Sequence, residues 1–147
     1  MSKNFWLVLL CFFILVNEHL AKFTLSLQAN QLSPSQALED AFRYSSIGSY
    51  MFTAFWRAIP FLGLAAFAKF SSVRHYSFGR VSLWGCAVLI ACYHFWGYYQ
   101  IWSPVFQGGK LSSTSSLAIP FVSLEAVVIS CCVFVAMFIF AKVKEGV

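Results

Sequence analysis

The sequence predicts an all-α integral membrane protein, a four-transmembrane-helix bundle with a short interfacial helix between spans one and two. Three observations carry this. Hydrophobic residues make up 60% of the 147 residues and charged residues only 10%. Mean hydropathy is +0.74. A soluble domain needs roughly 25% charged residues to cover its surface, so water is not this chain's solvent. Four stretches are apolar over a length comparable to the roughly 20 residues that cross a bilayer as helix. The same balance argues against a secreted disulfide scaffold, a nucleic-acid binder and a cytosolic enzyme. The length fits one membrane domain, 1–147.

Span one, about 5–21, is the weakest, because its apolar run stops at Val16 before Asn17, Glu18 and His19. Lys3 followed by Phe5 to Val16 resembles the start of a signal peptide, yet no small-x-small cleavage site follows closely. Leu20, Phe23 or Thr24, and Leu27 continue an i, i+3/4, i+7 stripe, so the segment reads as a retained helix whose amphipathic end projects from the membrane. The connection to span two contains Ser33-Pro34-Ser35-Gln36, which fits a helix start with Ser as N-cap, Pro in the first turn and Gln at the capping-box position. Ala37, Leu38, Ala41, Phe42 and Ser45 share a face of that short helix, which is expected to end near Gly48.

Span two covers about 47–70, span three about 81–102 and span four about 117–141. Between the last two lies a Gly- and Ser-rich connection in which Ser113 or Ser115 caps span four, and Pro120 falls in its first turn, where a missing N–H costs little. Ala54 with Ala58, and Ala87 with Ala91, are small-xxx-small pairs that permit close helix approach.

The distribution of cations orients the bundle. One side carries Lys3, Lys69, Arg74, Arg80, Lys142 and Lys144, and the other only Lys22, Arg43 and Lys110. This places both termini in the cytoplasm, and the short loops suggest a bacterial inner membrane. The basic-aromatic connection with Lys69, Arg74, His75 and Arg80 is a membrane-surface loop suited to anionic headgroups, at about 1 kcal/mol per cation. The basic pI therefore reflects topology, and no nucleic-acid partner is expected.

Ionisable groups inside spans are costly unless paired, which makes them the informative residues. Arg57 in span two, His94 in span three and Glu125 in span four fall at one level. Each is about 12–15 Å from the outer end of its helix at about 1.5 Å per residue. Tyr98, four residues after His94, shares its face. These four form the expected intramembrane polar cluster, read first as an Arg57–Glu125 clamp that fixes packing and second as a site for a proton, a substrate or a partner helix. Haem is not expected, since His19 and His94 lie at different depths and His75 on the other side. The five cysteines fall inside spans without a C-x-x-C, so they read as packing residues; no metal and no cofactor is expected.

No Gly-rich phosphate loop, Ser–His–Asp arrangement or H-E-x-x-H pattern is present. The expectation is a small non-catalytic polytopic membrane protein acting by contact: an accessory subunit, an assembly factor or an immunity-type protein. Its expected partners are the lipid bilayer and another membrane protein, or itself as homo-oligomer. The alternative is a small oligomeric proton-coupled transporter built around Glu125.

Overall fold

The computed structural model describes residues 2–43, 45–70, 77–110 and 115–145. Within them the chain forms six helices and no strand: α1 Lys3–Leu15, α2 Glu18–Ala29, α3 Pro34–Phe42, α4 Ile47–Phe70, α5 Ser77–Phe106 and α6 Ser115–Glu145. Three of these, α4, α5 and α6, are long and apolar enough to cross a membrane. Their large apolar side chains point outward in number: Phe55 is 65% exposed, Leu62 66% and Phe121 61%. Surfaces of that kind are stable against acyl chains and not against water.

The first expected span is corrected. The chain does not continue as one helix from Phe5 to Ala21 but breaks after Leu15, and α1 and α2 meet at 60°. Asn17 supplies the reason. Its side-chain oxygen accepts from the Leu20 N–H at 3.0 Å and its amide donates to the Ile14 carbonyl at 3.0 Å, so it ends one helix and caps the next. The stripe beyond it belongs to α2, which turns back to pack along α5 and buries Glu18, His19, Ala21, Lys22, Leu25 and Ser26. Counted as one broken span, α1 and α2 would make a fourth crossing.

The Ser33 start of α3 is present: Gln36 Oε1 accepts from the Ser33 backbone N–H at 3.2 Å and from its hydroxyl at 2.9 Å. The helix is shorter than expected, ending at Phe42 with Arg43 as C-cap, and Gly48 lies in the first turn of α4. Its face divides: Ala37 and Ala41 are buried against α2, whereas Leu38 and Phe42 stay exposed. Of the expected caps for span four, Ser113 lies outside the described residues; α6 begins at Ser115.

At the centre stands α5, in contact with α1, α2, α4 and α6. It extends beyond the expected third span at both ends. Phe5, Leu9, Phe61, Leu64, Leu83, Cys86, Ala87, Ile90 and Ala91 form one apolar core, on the side of the bundle where α1 and α4 meet α5. A second, smaller core gathers Ala21, Tyr98 and Ile119 where α2 and α6 meet α5. Gly97 sets the α5–α6 spacing, because a Cβ there would lie 2.6 Å from a Val122 methyl group. Of the two small-residue pairs, Ala87 and Ala91 are buried in the core, and Ala54 and Ala58 are only partly covered.

Candidate functional site: an intramembrane polar centre and an outward carboxylate

Helical spacing dictates the polar centre. On α5, His94, Tyr98 and Trp102 follow one another at four-residue intervals and so lie along one face. Two of them, His94 and Tyr98, are fully buried, with their rings 5.9 Å apart. His94 is satisfied as a neutral ring. Its Nδ1 lies 2.9 Å from the Ile90 carbonyl, which can only accept, so that nitrogen carries the proton; Nε2, 3.2 Å from Ser123 Oγ, then accepts from the hydroxyl.

Facing this ladder from α4 is Arg57, which has no exposed surface. Among the described residues none of its three side-chain nitrogens, nor the Trp102 indole nitrogen, has a well-aligned hydrogen-bond acceptor, and the Tyr98 hydroxyl lies within reach of the guanidinium. The guanidinium instead stands 5.1 Å from the centre of the Phe13 ring on α1, a cation–π contact. Its charge acts on both Tyr98 and His94. Three members of the expected cluster, Arg57, His94 and Tyr98, are thus brought together.

Glu125 is not among them. It is exposed on α6, where Oε2 accepts a 2.6 Å hydrogen bond from the Tyr93 hydroxyl of α5. Rotation about the helix explains the difference. Ser123 points inward to His94, and two residues further the helix has turned by about 200°, which carries Glu125 to the outside. The expected Arg57–Glu125 clamp is therefore corrected: depth matched, but direction did not.

The acid near the centre is Glu18 on α2, buried, whose charge acts on Tyr98. It lies 3.9 Å from Lys22 and 4.0 Å from His19. Lys22 in turn sits 3.8 Å above the Trp102 ring. Around this, α2 is fixed to α3 by Ser26 donating to Asp40 at 2.8 Å, by His19 Nδ1 donating to the Ala41 carbonyl at 3.0 Å, and by His19 stacked on Phe42 at 4.3 Å. Sequence reasoning missed Glu18, Lys22, Trp102 and Ser123. The signals were present: Glu18 and Lys22 are one turn apart, and Trp102 is one turn beyond Tyr98, where it reads as part of an interfacial aromatic belt.

In the expected surface loop, Lys69 is exposed near the end of α4 and Arg80 is exposed in the first turn of α5. Arg74 and His75 lie outside the described residues. All five cysteines are free; Cys86 is buried, with its Sγ 3.7 Å from the Ser130 carbonyl, and the other four are exposed.

No known protein family, no curated protein and no solved structure matches this chain.

Proposed function

We propose that this chain is a small non-catalytic polytopic membrane protein of four spans, with α1 and α2 together supplying one broken span, that acts by contact with another membrane protein. The observation that carries this reading is the outward placement of Glu125 and its hydrogen bond from Tyr93. A carboxylate on the outer surface of a helix suited to crossing a bilayer costs a few kcal/mol when it faces lipid. A protein neighbour that brings a donor to the Tyr93–Glu125 pair removes that cost. Exposed Trp96, whose ring lies 5.6 Å from that of Tyr93, and exposed Phe121 and Val128 surround the carboxylate with apolar area. An apolar patch around one polar anchor is how helix–helix contacts in membranes gain both packing and register.

The reading includes a bacterial inner membrane with both termini in the cytoplasm, supported by the cation bias of the sequence. A homo-oligomer assembled around Glu125, including the transporter form of that idea, would use the same face; what separates the two is the identity of the neighbour. Purification in mild detergent tests the proposal. The wild-type chain is expected in a complex larger than the monomer that contains a second polypeptide in fixed stoichiometry, and Glu125→Leu is expected to release it. A monomeric wild type, or a complex of unchanged composition in Glu125→Leu, overturns the assignment of this face.

A further inference from the structure

Helices α1 and α4 line an open apolar groove of about 380 Å³, whose walls include Leu9, Phe13, Ala58, Phe61, Leu62 and Ala65 and none of the residues of that face. Arg57 lies directly behind one end. Phe13 is both a wall of the groove and the ring against which the guanidinium rests. Ala58 follows Arg57 in sequence. Phe61, one turn further along α4, touches the His94 ring at 5.9 Å. A single aromatic side chain therefore separates an apolar groove from a fully buried cation.

The polar groups behind that ring are short of acceptors. Among the described residues Arg57 offers three nitrogens with no well-aligned acceptor, and the Tyr98 hydroxyl beside it is close enough to interact with the guanidinium but satisfies only part of it. Among the described residues Arg57 makes no ion pair; Glu18 is engaged by Lys22 and His19, and Glu125 is exposed and held by Tyr93. A guanidinium is a planar fork that matches a carboxylate through two parallel hydrogen bonds. The groove alone would not discriminate, since lipid tails fill apolar space as well as any ligand does. Selectivity must come from the head.

We propose that the groove and Arg57 form one binding site for a single-chain carboxylate amphiphile, the chain lying between α1 and α4 and the carboxylate meeting Arg57 and Tyr98 once the Phe13 ring turns aside. The Phe13 side chain is half-buried at the edge of the main core, where it packs on Phe61, and its rotation opens the way from the groove to Arg57. The bound carboxylate neutralises a cation that the fold otherwise holds against the Phe13 ring and beside the Tyr98 hydroxyl. This site is independent of the proposed contact face on α5 and α6.

The test uses the purified full chain in maltoside detergent, with thermal unfolding measured in the presence of decanoate, methyl decanoate or acetate. Decanoate is expected to raise the midpoint saturably, by about 3–6 °C at about ten times its Kd. At equal concentration the ester and acetate are expected to give less than about a third of that shift, because one lacks the charge and the other the chain. Arg57→Gln is expected to abolish the advantage of decanoate over its ester. Ala65→Phe fills the groove and leaves Arg57 in place, so it decides the matter if Arg57→Gln does not fold; it too is expected to abolish the decanoate shift. Equal shifts from decanoate and its ester would overturn the role of Arg57. Acetate matching decanoate would overturn the role of the groove, as would an unchanged decanoate shift in Ala65→Phe.

Discussion

Tyr93 donates a 2.6 Å hydrogen bond to Glu125 across the boundary between α5 and α6, on the outside of the bundle. One residue along α5, His94 makes its own bond to Ser123, on the inside. Two adjacent residues of α5, with partners two residues apart on α6, thus sort a polar layer into two parts. The inner one is closed around Arg57, and the outer one is open to a neighbour. The two parts separate cleanly in their expected responses to substitution.

Arg57 is expected to couple energetically to Tyr98 and not to Glu125. In a double-mutant cycle monitored by thermal unfolding in detergent, Arg57→Met and Tyr98→Phe should be non-additive, because each loss alters what the other leaves unpartnered. Arg57→Met and Glu125→Gln should add to within about 0.5 kcal/mol. Strong coupling in the second cycle would restore the clamp that depth alone suggests.

Gly97 should tolerate no side chain while Val122 is in place. A Cβ would stand 2.6 and 2.7 Å from the two Val122 methyl carbons, so Gly97→Ala is expected to cost about 1–3 kcal/mol by overpacking. Val122→Ala should recover most of that loss in the double variant. A fully stable Gly97→Ala protein would mean that α5 and α6 are further apart than the structure has them.

Asn17 is expected to hold the break between α1 and α2. Asn17→Leu removes both of its side-chain hydrogen bonds, which for an N-cap costs about 1 kcal/mol. Spin labels at Leu10 and Gln28 should then report a broader and longer distance distribution as the two helices straighten. An unchanged distribution would show that packing of α2 on α5 sets the 60° bend without the cap.

Much of this architecture is legible in the sequence, for identifiable reasons. The three long helices follow from apolar runs that no other structure in a bilayer can satisfy. The start of α3 follows from local side-chain chemistry at Ser33 and Gln36. His94 and Tyr98 share a face by helical spacing alone, and Arg57 meets them because it lies at their depth. Depth, however, gives no direction about the helix axis. Ser123 and Glu125 are at nearly the same level, and only packing against α5 decides which of them faces His94. The partnership of α2 with α5 was hidden for a related reason: Glu18 and Lys22 look like the wet end of a span until the break at Asn17 lays them against Tyr98 and Trp102. A long-range contact made across a 60° bend leaves no periodic trace.

Both termini are expected in the cytoplasm, with α3 on the opposite side. Reporter fusions at position 147 and near Asn30 should give cytoplasmic and external signals respectively. A third fusion at the N-terminus should report the cytoplasm; the same signal there as near Asn30 would mean that α1 and α2 form a re-entrant pair, leaving α4, α5 and α6 as the crossings among the described helices.

The contact face is tested most directly in the membrane itself, by placing a photo-crosslinking amino acid at Trp96, beside the Tyr93–Glu125 pair, and a second at Leu62, within the groove. Irradiation of intact membranes should convert the Trp96 derivative into one discrete larger species containing a second polypeptide, and Glu125→Leu should abolish it. The Leu62 derivative should stay monomeric. A Trp96 derivative that crosslinks to no protein, or whose product survives Glu125→Leu unchanged, would contradict a protein that acts by contact through Glu125.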